Sequence, residues 1–225
     1  MLNRRTLLTR GLTGAIGLAA SSSALSSQPA NPSFVFRTTP RPGVDPLAPA
    51  PRAPGGINPE LFAKAKEALD RHSTYVADRE WIGIADYGLR SDEARFHLVH
   101  LPSGHVESVP VTHGRGSDRN HNGYLDHFSN QPGSLATSSG AYLTASRYHG
   151  KYGLSAKLHG LDWSNNNAFN RAIVMHHAWY AEPEMISQHG KLGRSEGCFA
   201  FSRRDHWHVM SRLGEGRLIY ADKLA

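Results

Sequence analysis

The sequence predicts a mainly β domain with a few peripheral helices. From residue 81 onwards, short apolar runs with two-residue alternation recur along the chain, and turn-forming residues separate them. Only three segments have the spacing and end signals of helices. With 39% hydrophobic and 20% charged residues, 22 glycines and 13 prolines, the 225-residue chain has the composition of a loop-rich globular protein.

The first predicted helix covers residues 58–73. Asn58 is a favourable N-cap and Pro59 suits the first helical position, and leucine, phenylalanine and alanine then recur at helical spacing. Two further helices are predicted at 182–190 and 202–214, and each ends at a glycine.

Seven strands are predicted from alternating or continuous apolar runs. They lie at 81–88, 94–101, 105–114, 140–148, 152–161, 171–178 and 216–222. Pro102, Ser103 and Gly104 would join the second and third strands as a hairpin. Because strands follow one another with short connections and few helices between them, we expect a mainly antiparallel sheet.

Residues 1–30 have the layout of an export signal. Two adjacent arginines precede Thr-Leu-Leu, which resembles a twin-arginine signal, and the apolar stretch that follows is too short and glycine-rich for a permanent membrane span. The proline-rich composition of residues 31–56 indicates an extended linker, so the folded domain is predicted at 57–225. We therefore expect an exported protein of the periplasm or cell envelope, with no stable membrane span once the signal is removed.

The formal net charge of +6 suits an anionic partner. Long runs of lysine and arginine are missing from the sequence, which argues against a nucleic-acid interface. An anionic cell-wall polymer fits both the charge and the predicted export.

Cys198 is the only cysteine of the chain, so it cannot form an internal disulfide. A lone thiol in an exported protein is either reactive or a buried structural residue. A nucleophilic thiol needs a nearby imidazole, cation or backbone N–H to lower its pKa. The neighbouring Gly197 allows tight backbone geometry, and the amides of Gly197 and Cys198 could stabilise an oxyanion.

A candidate base follows the apolar run at residues 172–175. His176 and His177 stand where this run ends, and adjacent strand residues point to opposite faces, so only one of them should face the sulfur. His176 precedes Cys198 by 22 residues, a spacing that fits a Cys–His pair but also fits ordinary hydrogen-bonded histidines.

These residues belong to a longer stretch that resembles the catalytic segment of the murein L,D-transpeptidase family, the YkuD-type domain. The stretch is RAIVMHHAWYAEPEMISQHGKLGRSEGCFAF, at 171–201, and it is similar to the branch with a GRS-x-GC motif. Similar segments also lie upstream, namely HGRGSD (113–118), FSNQPGS (128–134), SSGAYLT (138–144) and YHGKYGLSAKLHGLD (148–162).

The resemblance implies a mixed β-sandwich/barrel fold and cofactor-free acyl transfer on peptidoglycan stem peptides. It implies Cys198 as the nucleophile, His176 as the general base, and the backbone carbonyl of His177 as the group that orients the base. Ser195 and Gly197 match the nucleophile loop of the family.

Three positions depart from the commoner motif of the family. His177 stands where glycine is usual, Glu196 replaces histidine, and Ala200 replaces an arginine that stands two residues after the cysteine. The role of binding the substrate is therefore expected at other residues, with Arg194, Arg171, Arg203 and His113 as candidates. Since a carboxylate beside a thiolate raises its pKa, we predict that the Glu196 side chain points away from the sulfur.

Two other functions remain open from the sequence. A non-catalytic wall-binding module could have the same fold, and 14 histidines allow a zinc-dependent peptidase, although the HExxH motif is lacking. Asp118, Asn120 and Asn122 have the spacing that opens an EF-hand calcium loop, but its twelfth position is Ser129 instead of glutamate. We expect a polar loop there, and no metal.

Overall fold

The computed structural model describes residues 53–224. Its helices are α1 (Pro59–Arg71), α2 (Pro183–His189) and α3 (Arg203–Arg212), with a 3₁₀ helix at Trp179–Ala181. Its strands are β1 (Trp81–Asp86), β2 (Phe96–His100), β3 (His105–Val109), β4 (Gly140–Gly150), β5 (Gly153–Gly160), β6 (Val174–His177), β7 (Phe199–Phe201) and β8 (Leu218–Asp222). Within this range, every helix is too short or too polar to cross a membrane. The predicted export signal and residues 31–52 of the predicted linker lie outside the described residues.

The eight strands form one curled sheet, a half-barrel, in the order β3-β2-β1-β8-β4-β5-β6-β7. The predicted mainly β fold with peripheral helices is thus confirmed. Two neighbouring pairs, β1 with β8 and β6 with β7, are parallel, and the other neighbours are antiparallel. The β6–β7 pair matters most for the candidate site because His176 lies on β6 and Cys198 directly precedes β7.

Both faces of the sheet are covered. Because side chains alternate along a strand, β1 packs Ile82 and Ile84 into the core cluster of α1 and directs Gly83 to the opposite face. A Cβ atom at Gly83 would lie 2.8 Å from Phe96 and 2.9 Å from Leu213, which directly follows α3. Glycine at this position therefore allows the segment after α3 to pack closely against the sheet.

The helices begin and end at residues of the predicted kinds. The side chain of Asn58 accepts hydrogen bonds from the first turn of α1, and the Ser202 hydroxyl accepts one from the Asp205 amide of α3. Gly190 ends α2 in the left-handed conformation, with a φ of 67°. The predicted third helix is shorter than expected and ends at Arg212.

The predicted strand at 105–114 ends at Val109 because the following residues pair elsewhere. The Thr112 N–H donates to the carbonyl of Ala200 at 3.0 Å, and the Ser195 N–H donates to the carbonyl of His113 at 2.9 Å. These bonds connect the end of the hairpin to the segment that contains the cysteine.

The predicted strand at 171–178 is also shorter, since it begins only at Val174. Ala172 has a φ of 54°, which is incompatible with an extended strand. The strand β7 was not predicted from the sequence at all, because three residues are too few to show a periodicity.

Candidate active site

Residues 195–198, the cysteine loop, form a tight turn before β7. The Ser195 hydroxyl donates to the carbonyl of Cys198 at 2.7 Å and accepts from the Gly197 N–H at 3.2 Å. Gly197 has a φ of 111°, and a Cβ there would lie 2.6 Å from the carbonyl oxygen of Ala136. Ser195 and Gly197 therefore hold the backbone beside the thiol in one conformation.

These bonds correct one expectation from the sequence. The Gly197 N–H is used by Ser195, so it is not free to stabilise an oxyanion. The N–H of Cys198, by contrast, makes no hydrogen bond to any of residues 53–224 and remains available.

The Cys198 thiol is half-buried and donates to the carbonyl of Ala172 at 3.6 Å. Burial raises the pKa of this thiol to about 11, and the charge of Glu196 adds to the increase. The backbone N–H of Val174 and the Arg171 guanidinium act in the opposite direction. Without substrate, the thiol is therefore protonated at neutral pH.

His176 lies on the strand next to the cysteine. The parallel register of β6 and β7 places His176 opposite Ala200. Cys198 directly precedes β7, and the backbone N–H of Val174 on β6 bonds its thiol. The register therefore brings the cysteine loop beside the strand that carries His176.

The ring of His176 is held in one orientation and one tautomer. Its Nδ1–H donates to the backbone carbonyl of His177 at 2.9 Å, which leaves the lone pair on Nε2. The ring stacks on Tyr152, with centroids 4.3 Å apart and planes inclined by 19°. Burial lowers the pKa of His176, so this imidazole is neutral at pH 7.

His177 contributes its carbonyl to this arrangement, and its side chain lies elsewhere. The His177 ring is 5.8 Å from the ring of His206 on α3. A Cβ at Gly153 would lie 3.2 Å from Nε2 of His177. The missing side chain of Gly153 thus gives space to the histidine that stands where the family usually has glycine.

Glu196 is exposed, and its carboxylate accepts from the Arg115 guanidinium at 2.8 Å. This contact agrees with the prediction that the carboxylate points away from the sulfur. Its charge nevertheless lies close enough to raise the pKa of Cys198.

The three candidate arginines are in different surroundings. Arg171 donates to two carbonyls and two hydroxyls of residues 129–138, and Arg194 donates to the carbonyls of residues 118–119. The Arg203 side chain makes no hydrogen bond or ion pair in the described part of the chain. Of the three, Arg203 has the guanidinium that is free for a ligand.

His113 is buried, and both of its ring nitrogens are used. Arg95 donates to Nδ1 at 2.7 Å, and Nε2–H donates to the carboxylate of Asp118 at 3.1 Å. Burial and the charge of Arg95 lower the pKa of His113 to about 3. His113 therefore lies in the core, and its backbone carbonyl bonds the cysteine loop at Ser195. The sequence led us to expect His113 at a substrate-binding position instead.

The carboxylate of Asp118 is also fully used. It accepts the N–H groups of Asn122 and Gly123 at 2.9 and 3.0 Å, in addition to the bond from His113. The EF-hand-like spacing thus forms a turn closed by its own backbone. Across residues 53–224, His, Cys, Asp and Glu side chains do not come together in threes at a place that could hold a metal ion.

A cavity of about 330 Å³ lies beside His176. It is lined by Lys151, Tyr152, Gly153, His177, Ala178, Trp179, Glu182 and Arg203. Tyr152 and His177 contact His176 directly, so the cavity borders the candidate base. Lys151 and Arg203 bring positive charge to it, and Glu182 is the acidic residue of the lining.

Three residues near Cys198 or His176 were not assigned a role from the sequence. They are Ala172, Tyr152 and Tyr180, whose pKa is raised by burial and by the neighbouring Tyr152, Cys198 and Glu196. Tyr152 precedes Gly153 at the turn between β4 and β5, and this turn signal does not indicate a contact with His176. The carbonyl of Ala172 has no sequence signal, because its position depends on a left-handed backbone.

The chain matches the profile of L,D-transpeptidase catalytic domains over residues 54–221. It does not match any curated protein. Similar solved structures include an L,D-transpeptidase from Mycobacterium smegmatis, with 15% identity, a TM-score of 0.38 and coverage of 64% of this chain and 58% of the other.

Two further similar structures have comparable scores. L,D-transpeptidase 3 from Mycobacterium tuberculosis, in complex with a faropenem-derived adduct, has 13% identity, a TM-score of 0.41 and coverage of 64% and 60%. The helical cell shape determining protein Pgp2 from Campylobacter jejuni has 12% identity, a TM-score of 0.40 and coverage of 67% and 49%. This chain thus spans about half to three fifths of the length of these proteins. The profile match covers most of the sequence, and the chain belongs to the family of L,D-transpeptidase catalytic domains.

Proposed function

We propose that this protein transfers acyl groups on peptidoglycan stem peptides outside the cytoplasm, with Cys198 as nucleophile and His176 as general base. The observation that supports the proposal is the pairing of β6 with β7, which brings the cysteine loop beside the strand of His176, whose ring is oriented by the His177 carbonyl. Family membership supports peptidoglycan as the substrate.

In the first step, the sulfur of Cys198 attacks a carbonyl carbon of the stem peptide. The S–H proton passes to Nε2 of His176, which is the ring nitrogen with the free lone pair. The carbonyl oxygen becomes an oxyanion, and the unused N–H of Cys198 is the donor we assign to it.

Collapse of this intermediate breaks the peptide bond to the terminal D-residue. The imidazolium of His176 gives its proton to the departing amine, and a thioester on Cys198 remains. An acceptor amine then attacks the thioester and gives its proton to His176, which regenerates the thiol; water in place of the amine gives an L,D-carboxypeptidase.

The neutral state of both groups favours general-base catalysis over a preformed ion pair. The pKa of the thiol is raised and that of His176 is lowered, so a resting thiolate–imidazolium pair is unfavourable. The thiol is therefore expected to ionise as the substrate arrives, which protects the enzyme from unspecific thiol reactions.

We assign the carboxylates of the stem peptide to the cavity beside His176. Arg203 and Lys151 supply positive charge there, and the Arg203 guanidinium has no partner within residues 53–224. Arg171 and Arg194 have structural roles in this proposal, since each is bound to backbone carbonyls.

The test is the incubation of the protein with defined muropeptides that carry tetrapeptide stems. We expect release of the terminal D-residue and a mass increase on Cys198, both abolished in Cys198→Ala and reduced by at least about 10²-fold in His176→Ala. His189→Ala, an exposed residue at the end of α2, is the matched control and should retain full activity.

The alternative functions give different results. A non-catalytic wall-binding module would show no turnover and equal wall binding by wild type and Cys198→Ala. A zinc peptidase would lose activity with a chelator and keep it in Cys198→Ala. Either result, with circular dichroism showing a folded variant, would reject Cys198 as the nucleophile.

A further inference from the structure

A second groove, of about 650 Å³, lies outside the Cys–His site. It runs between the loop at 128–132 and the loop at 163–167, and we call it the amide groove because Asn130, Gln131, Asn166 and Asn167 line it. Its volume is within the range of clefts that bind small molecules.

The side chains that line the amide groove are uncharged. Serine, asparagine, glutamine, proline and two aromatic residues form its surface, and none of the lining side chains is charged. This contrasts with the basic cavity beside His176 and with the net charge of +6. An ionic ligand would gain little here, whereas amides and hydroxyls both donate to and accept from a neutral polyhydroxylated ligand.

Trp163 stands at the edge of this groove with 87% of its surface exposed. Its indole makes no ring contact and no hydrogen bond among the described residues. An exposed flat aromatic face beside polar groups suits a pyranose ring, since the sugar offers an apolar C–H face and a polar rim.

The two walls of the groove are held together by Asn130. Its side-chain amide donates to the carbonyl of Trp163 at 3.0 Å and to the side chain of Asn166 at 2.7 Å. Its side-chain oxygen accepts the Asn167 N–H at 3.2 Å, and its carbonyl accepts from the Asn167 side chain at 3.1 Å. The groove is thus shaped before a ligand arrives, which lowers the entropic cost of binding.

The amide groove is connected to the thiol through two consecutive residues. Arg171 donates to the carbonyl of Ser129 in the groove wall at 2.8 Å. The next residue, Ala172, accepts the Cys198 thiol at 3.6 Å. A ligand in the groove would therefore lie near the peptide that is bound at Cys198.

We propose that the amide groove binds the neutral pyranose rings of an N-acetylated amino-sugar strand. This inference rests on the proposed function for the identity of the strand, which would be the glycan that carries the stem peptide. Trp163 stacks on one sugar ring, and Gln131, whose side chain makes no bond within the described residues, binds hydroxyl or acetamido groups.

The experiment is a calorimetric titration of the full chain with a peptide-free N-acetylglucosamine pentamer. We expect saturable binding that is little affected by ionic strength, and binding at least about tenfold weaker in Trp163→Ala. Trp207→Ala is the matched control, because Trp207 is 72% exposed on α3 and lies outside both lining sets; it should bind as wild type does.

A second variant tests the groove without changing the tryptophan. Gln131 is exposed and its side chain makes no bond within the described residues, so Gln131→Ala should fold normally and bind the pentamer several-fold more weakly. Absence of saturable binding by wild type, or unchanged binding in both groove variants, would overturn the inference.

Turnover separates this inference from the proposed function. Trp163→Ala should raise the KM for a glycan-bearing muropeptide and leave the KM for a sugar-free stem peptide unchanged. Cys198→Ala should bind the pentamer as wild type does. Turnover that depends on Cys198 with no pentamer binding rejects only the glycan site. Pentamer binding that depends on Trp163, without any turnover by wild type, supports the sugar site and rejects the acyl transfer.

Discussion

Gly197 shows how one residue without a side chain fixes the geometry of the cysteine loop. We expect Gly197→Ala to lower turnover by about 10²-fold or more and stability by about 1–3 kcal/mol, because the new Cβ would meet the Ala136 carbonyl at 2.6 Å and Ile173 at 2.8 Å. Turnover assays and urea unfolding measure the two effects.

Gly104→Ala is the matched control for this change. Gly104 also has a positive φ, of 71°, but a Cβ there meets nothing within 4 Å. This variant should lose about 1 kcal/mol of stability and no activity. Equal loss of activity in both variants would mean that backbone strain alone, and not the contact with Ala136, explains the effect.

The protonation states of Cys198 and His176 give a pH prediction at the same scale. Without substrate, alkylation of the thiol by iodoacetamide should keep accelerating up to alkaline pH, because the pKa of Cys198 is about 11. Turnover should instead fall only below pH about 6.5, as His176 becomes protonated and stops acting as a base.

Alkylation that is quenched at fixed times and analysed by mass spectrometry measures the dependence of the alkylation rate on pH. His189→Ala is the control, since this exposed residue should not change the curve. A plateau of the alkylation rate already at pH 6 would instead indicate a preformed thiolate–imidazolium pair.

At the scale of elements, Arg171 joins the loop at 128–138 to the start of β6. Its guanidinium donates to four oxygen atoms of that loop. A lysine keeps the charge but cannot reproduce the planar fork. Arg171→Lys should therefore speed amide hydrogen exchange in residues 128–138 and lower turnover by about tenfold.

Hydrogen exchange followed by mass spectrometry tests this role. Arg204→Lys on α3 is the control, because the Arg204 side chain is exposed and has no bond within the described range; its exchange should match wild type. Unchanged exchange at 128–138 in Arg171→Lys would show that the loop is held by other contacts.

The elements also show what local patterns can and cannot predict. Asn58 caps the start of α1 and Gly190 caps the end of α2, so these helix limits depend on neighbouring residues and follow from the sequence. The strand β7 has only three residues and exists because β6 offers its edge. The end of β3 at Val109 likewise depends on pairing with the distant cysteine loop.

At the scale of the whole molecule, buried histidines connect stability to pH. The folded-state pKa of His113 is about 3 and that of His206 about 4, against about 6.5 in the unfolded chain. Between pH about 6.5 and 4 the unfolded chain binds more protons. The free energy of unfolding should therefore decrease by about 1.4 kcal/mol per pH unit for each histidine as the pH falls.

Urea unfolding between pH 7 and pH 4 measures this slope. His206→Phe should remove the contribution of one proton from the slope of the free energy of unfolding against pH. The substitution should cost little stability at pH 7, because Nε2 of His206 has no hydrogen-bond partner within residues 53–224. His189→Gln, at an exposed position, should leave the slope unchanged. An unchanged slope in His206→Phe would contradict burial of the neutral ring.

The sequence by itself determined the mainly β fold, the family and the candidate residues Cys198 and His176. Strand periodicity, caps and the GRS-x-GC motif depend on residues that are close together in the chain, so they can be read without coordinates. Export, the linker and the catalytic roles stay predictions.

Only the tertiary structure decided how these residues meet. The pairing of β6 with β7 brings the cysteine loop beside the strand of His176, and Gly153 gives the His177 ring its space. His113 has a buried structural position, and the Gly197 amide is occupied by Ser195. The physical reason is that hydrogen bonds and desolvation depend on neighbours that are distant in sequence, and these neighbours come together only when the sheet forms.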